Sequence, residues 1–240
     1  FGSASLSSQT TIDLSGTPSS VLRIYGTAME DGFGYSVAAG RVNGDAYDDI
    51  IVGAYKADPS GRENAGITYV IYGSAGMKTL GTLDTAAMTS NITRISGSEA
   101  GDLSGSAVTT GNFDNDGYSD VVIGAPEALA SRGGVFVVFG ANALQSTAAI
   151  DLNPFSADVV KIFGRNPLFK AGSAVAAGVT TSPNSRSVPT TWTLMVITRA
   201  SSTMKTVPSN RTRSPFASAT SGSIEANSSG RKTATTASTM

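Results

Sequence analysis

The chain has 240 residues, 17 basic and 18 acidic side chains, and neither cysteine nor histidine. This excludes disulfides, thiol nucleophiles, imidazole bases and nearly every zinc arrangement, and leaves oxygen ligands suited to hard cations. A net charge of −1 gives no bulk attraction for nucleic acid or membrane, and no apolar run reaches the roughly eighteen residues needed to span a bilayer. The sequence opens on Phe1, so the lack of a leader carries no information about secretion.

Read in chain order, the predicted elements recur. Ile12-Asp13-Leu14 returns as Leu83-Asp84-Thr85 and Ile150-Asp151-Leu152, and Arg23-Ile24-Tyr25-Gly26 returns as Arg94-Ile95-Ser96-Gly97 and Lys161-Ile162-Phe163-Gly164. Val37-Ala38-Ala39-Gly40 returns as Val108-Thr109-Thr110-Gly111 and Val175-Ala176-Ala177-Gly178, at the same spacings of 71 and 67 residues. Three markers in one register define a repeat. Within the first unit, short β-branched or aromatic runs at Tyr35 to Ala39, Ile50 to Ala54, Ile67 to Tyr72 and the Arg-Ile stretch at 94–95 predict four strands separated by Gly, Asn, Asp and Pro. Leu80 to Met88 has the spacing for a helical turn or two.

Ile50-Ile51-Val52 and Val121-Val122-Ile123 are continuous apolar runs, as expected of strands covered on both faces. The pattern predicts an all-β fold, a fragment of about two to three four-stranded propeller blades, with a tandem sandwich as the competing architecture. Blade-like units cover about 27–97 and 98–164, with partial units at both ends of the 1–178 region. The tyrosines at 25, 35, 47, 69 and 72, with Phe136 and Phe139, are expected to pack between blades.

Between the first and second strands of the second unit, Asn112, Asp114, Asp116 and Asp120 occupy loop positions one, three, five and nine, with Gly117 at the turn and the Tyr118 carbonyl between. Oxygen donors at this spacing predict a Ca²⁺ loop, and three carboxylates so close repel one another unless a cation neutralises them. Asn-Asp-Gly sequences also make plain turns. An EF-hand is excluded, because Ile123 stands where its bidentate Glu would fall. The first unit has the same loop in degraded form, with Asn43, Asp45, the Tyr47 carbonyl and Asp49 as ligands but Arg41 at the first position, and a weak or empty site is expected. Arg41 is expected to pair Asp45 or Asp49, and Ala46 to carry the strain that a positive φ imposes. Both sites read as structural clamps.

Composition breaks at Gly178. The first 178 residues hold 25 of the 27 glycines and a balance of −7, whereas 179–240 contains 13 Ser, 14 Thr and one acid, Glu225, for a balance of +6. This tail reads as a disordered Ser/Thr-rich linker or as an out-of-frame continuation, which the coding DNA distinguishes. Only Thr191 to Ala200 has the pattern of a strand.

With these residues in place, the chain resembles an FG-GAP repeat protein over about residues 12–178. The first unit carries Phe33-Gly34-Tyr35-Ser36-Val37, the loop and Ile50-Ile51-Val52-Gly53-Ala54; the second ends Gly124-Ala125-Pro126. That family includes the propellers of integrin α chains and of glycosylphosphatidylinositol-specific phospholipase D. The resemblance implies an extracellular or cell-surface propeller with Ca²⁺ in loops on one face, serving recognition or adhesion of a protein or glycan partner. The alternative is the non-catalytic propeller part of a secreted phospholipase D-like hydrolase. Without an imidazole base, and with Asp48 and Asp49 pointing to opposite faces, the residues themselves suggest no catalytic centre. Three Asn-X-Ser/Thr triplets, at Asn91, Asn210 and Asn227, match the pattern of glycan acceptors in a eukaryotic secretory route, a pattern that also arises often by chance.

Overall fold

The computed structural model describes residues 21–153, 159–167, 169–180, 191–197, 219–226 and 232–237. In chain order its strands are β1 (Arg23–Tyr25), β2 (Phe33–Gly40), β3 (Asp49–Ala54), β4 (Ile67–Ile71), β5 (Thr82–Asp84), β6 (Ile92–Ser96), β7 (Ala107–Gly111), β8 (Asp120–Ala125), β9 (Gly134–Val138), β10 (Ala149–Asp151), β11 (Val159–Phe163), β12 (Ala174–Thr180), β13 (Thr191–Ile197), β14 (Ala219–Ala226) and β15 (Lys232–Ala237). Strands β2-β3-β4-β6 form one antiparallel meander and β7-β8-β9-β11 a second. The registers repeat as well: Val37 faces Val52 in the first sheet and Val108 faces Ile123 in the second, each pair 71 residues from its counterpart. These are propeller blades rather than halves of a sandwich.

Burial explains the continuous apolar strands. A core between the two blades takes Ile51 and Val70 from the first and Val121, Ile123 and Phe136 from the second. The opposite faces of the same strands fill two further cores, with Val52, Tyr69 and Ile71 on one side and Val122, Val135 and Val137 on the other. Adjacent residues of β3 and β8 therefore point into different cores, so neither strand has a face left for polar residues. Tyr69, Tyr72 and Phe136 are buried, as expected. Tyr25, Tyr35 and Tyr47 are 54%, 63% and 43% exposed, contrary to the expectation of packing between blades. Tyr35 lies on an exposed face of β2 and stacks instead on Tyr55, ring centroids 4.3 Å apart.

The segment Leu80 to Met88, expected as a helical turn, is different. A 3₁₀ turn at Met77–Thr79 precedes it, and Thr82–Asp84 is extended as β5, paired in parallel with β1. Its counterpart β10 pairs in parallel with β6 at the outer edge of the first blade. Each unit thus hands a short strand to the blade before it, and main-chain pairing overrides a weak local helical pattern. A basic side chain on the outer strand secures the join: Arg94 Nη2 donates to the carbonyls of Thr85 and Met88 at 2.7 and 3.0 Å, and Lys161 donates to that of Leu152.

Blade-to-blade spacing is set by paired glycines. A Cβ on Gly53 would lie 2.0 Å from the Gly105 carbonyl oxygen, and one on Gly124 would lie 2.1 Å from that of Gly172. Gly105 and Gly172 both have φ near +86°, which glycine adopts freely. The Phe-Gly and Gly-Ala-Pro glycines are therefore two halves of one contact between successive units. β13, β14 and β15 continue an antiparallel sheet that begins at β12. Leu194 and Val196 of β13, from the short apolar run, are buried in the core beyond the second blade.

Candidate metal centre

The loop joining β7 to β8 is curled by its own polar side chains. Asn112 Oδ1 accepts from the Asp116 amide at 3.2 Å, and Asp116 Oδ1 accepts from the Tyr118 amide at 2.9 Å. Gly117 takes φ +96°, and Asn115 also sits in the left-handed region. The ninth residue does more than the spacing suggests. Asp120 is fully buried; one carboxylate oxygen accepts the Phe113 amide at 2.7 Å and the other the Gly140 amide at 3.0 Å. It ties the start of the loop to the chain just beyond β9, the third strand of the blade.

The first loop repeats this clamp. Asp49 accepts the amides of Val42 at 2.8 Å, Asn43 at 3.4 Å and Gly73 at 2.9 Å. Gly73 and Gly140 are 67 residues apart, and a Cβ at either would lie 2.4 Å from a loop carbonyl, that of Asp48 or Ser119. The Tyr-Gly and Phe-Gly pairs at 72–73 and 139–140 are the sequence signal for this contact, one that does not stand out among the other glycines.

Burial pushes the Asp120 carboxyl up to about 7, against the pull of its two amide partners, and the negative charges of Asp114 and Asp116 add to the rise. Asp49 is also raised, by burial, with three amides opposing and Asp45 alone adding charge. The second loop thus gathers three interacting carboxylates and the first gathers two. Among the described residues, no three Asp or Glu side chains are drawn together closely enough to form a metal site by themselves. A cation held in the second loop would therefore need the Asn112 amide oxygen and the Tyr118 carbonyl as well, a donor set of hard oxygens suited to Ca²⁺.

Arg41 does not occupy the first loop as expected. Its Nε pairs Asp48 at 3.3 Å, with the two side chains 61% and 69% exposed, and not Asp45 or Asp49. A guanidinium held inside the loop would lose its hydration, whereas the rim leaves it solvated. The interior position is filled by an amide: Asn43, 4% exposed, donates from Nδ2 to Asp45 Oδ2 at 2.9 Å and to Gln145 Oε1 at 3.0 Å. Asn43 Oδ1 accepts the Asp45 amide and Asp45 Oδ1 the Tyr47 amide. Ala46 stays out of the left-handed region, so the expected strain is absent; Gly44 takes a positive φ of 75° instead. Gln145, from a 3₁₀ turn at Asn142–Ser146, was not anticipated, since it lies 102 residues from its partner. The loop position of the third unit opens on Val179-Thr180, at the end of β12, and its continuation from 181 lies outside the described residues.

Residues 33–71 and 104–138, which run from β2 to β4 and from β7 to β9, match the FG-GAP repeat family. The chain carries FG-GAP repeats. It is 33% identical to integrin alpha-5 of Xenopus laevis over 126 residues, covering 50% of this chain and 11% of that protein. It is 34% identical to the phosphatidylinositol-glycan-specific phospholipase D of Bos taurus over 112 residues, 45% of this chain and 13% of that one. Integrin alpha-8 of Gallus gallus is 30% identical over 138 residues, 53% of this chain and 12% of the relative. The FG-GAP chain therefore spans about an eighth or less of each. Its repeats form a propeller scaffold, and no helix among the described residues is long and apolar enough to cross a membrane.

Proposed function

We propose that this FG-GAP chain is a calcium-stabilised, non-catalytic recognition scaffold at the cell surface or in the extracellular space. Residues 1–178 carry the repeats, and a protein or glycan is the partner. The observation that supports it is the fully buried Asp120 within electrostatic reach of Asp114 and Asp116. In this reading Asn112, Asp114, Asp116, Asp120 and the Tyr118 carbonyl hold Ca²⁺, which supplies the neutralising charge and fixes the β7–β8 hairpin. Asn43, Asp45, Tyr47 and Asp49 form a twin loop held by the Asn43 amide, with no requirement for metal. Calorimetric titration of the intact chain is expected to give one Ca²⁺ per chain, lost in Asp116→Ala and kept in Asn43→Asp. Heat equal in the parent and Asp116→Ala would remove the assignment.

A second reading, that the chain is the non-catalytic propeller part of a secreted hydrolase, is favoured by the similarity to the Bos taurus phosphatidylinositol-glycan-specific phospholipase D. The residues present here supply no imidazole to activate a serine. Purified chain is expected to leave phospholipid and glycan substrates unchanged, and turnover that survives further purification would favour the enzyme.

A further inference from the structure

We propose that Asn91 is an N-glycan acceptor that is open only while the chain is being made. Asn91 is exposed, immediately before β6, with φ +57°, a conformation asparagine tolerates. Its Oδ1 accepts from Gln145 Nε2 at 3.2 Å, which orients the side chain and leaves Nδ2, the atom that is modified, outside that bond. A glycan on Nδ2 retains Oδ1 as an acceptor, so modification and the Asn43–Gln145–Asn91 hydrogen-bond chain are compatible.

The sequon's hydroxyl behaves oppositely. Thr93 is 0% exposed; its Oγ1 reaches the Leu144 carbonyl at 3.1 Å and the Thr147 carbonyl at 2.6 Å, with the Tyr72 hydroxyl at 2.9 Å. A transferase that recognises Asn-X-Thr must reach that hydroxyl. Its cover is complete only once residues 51 and 54 positions downstream have been synthesised and docked. In the reaction, Asn91 Nδ2 attacks the anomeric carbon of a lipid-linked diphospho-oligosaccharide. The C–N bond forms, the C–O bond to the diphosphate breaks with its electron pair on the departing diphosphate, and the amide proton passes to a base of the transferase.

Asn91 adjoins the first loop through Gln145, so the glycan covers the loop end of the first blade. In nature the step rests on the extracellular reading, since the chain must enter a secretory route. The test imposes that route and is independent of calcium. The full chain, secreted from a eukaryotic host behind an added signal sequence, is mapped by mass spectrometry. The folded, unmodified chain and its urea-unfolded form are also offered to an oligosaccharyltransferase with lipid-linked donor. Glycan at Asn91 in the secreted chain is expected, with the folded acceptor slower by about a thousandfold or more, given the scarcity of the opened chain in a stable domain. An unmodified Asn91 after secretion, or equal rates for the two forms, would overturn the proposal. Retention of the calcium titration in either case would leave the scaffold reading standing.

Discussion

Asp120 ties the stability of the second blade to pH in a direction opposite to the common carboxylate. Its folded-state pKa lies above the unfolded one, from 3.8 to about 7, because burial and the charges of Asp114 and Asp116 outweigh two amide hydrogen bonds. Between those values the folded chain binds the extra proton, so stability is present at low pH and is lost as pH rises toward 7. At about 1.4 kcal/mol per pH unit, the full span is about 4 kcal/mol. Asp49, Asp102 and Asp31 are raised as well, each chiefly by burial, and add to the same slope. The measurement is urea unfolding at a series of pH values from 4 to 8, in chelator and in excess Ca²⁺. In chelator the unfolding free energy should fall across this range. Calcium, which favours the ionised loop, should flatten the fall, and Asp120→Asn should remove the largest single part of it. A flat or rising profile in chelator would refute the reasoning, because it would mean that the buried carboxyl is ionised at no cost.

Asp116→Ala and Asp49→Ala separate metal from clamp. The first should lower Tm more in Ca²⁺ than in chelator, where the Tyr118 amide loses its acceptor in an exposed hydrogen bond, whereas the second, which strands three amides, should cost about 2–4 kcal/mol with or without it. Gly53→Ala places a methyl 2.0 Å from a backbone oxygen and should destabilise by about 3 kcal/mol or more in denaturant titration; a change within about 0.5 kcal/mol would show that the blades yield there. Thr68 is fully buried with its Oγ1 unpartnered, and the second blade has Val135 at the matching place, so Thr68→Val should stabilise by about 1 kcal/mol in the same assay. Arg41→Ala, which breaks only an exposed ion pair, should shift the unfolding midpoint by no more than about 1 kcal/mol.

Strand positions, the repeat spacing and the double-faced burial of Ile51 and Val122 were legible because each depends on a few consecutive residues. The candidate ligands were legible for the same reason, since one nine-residue loop carries them. The parallel strand Thr82–Asp84 was not, because its pairing with Arg23–Tyr25 lies more than fifty residues away and its own sequence favours no strand. Local pattern likewise put Arg41 inside the first loop, where solvation keeps it out.

Spacing along the chain alone placed the candidate oxygen ligands in one loop between two strands of a repeating unit, since alternation and turn residues act over a handful of bonds. Tertiary structure decided what holds each loop in place. The amides of Gly73 and Gly140 lie just beyond β4 and β9, and the side-chain oxygen of Gln145 accepts from Asn43 out of the following unit. Hydrogen bonds and charges fall off over a few ångströms of space, whatever the distance in sequence, so only packing the blades together brings these groups within reach.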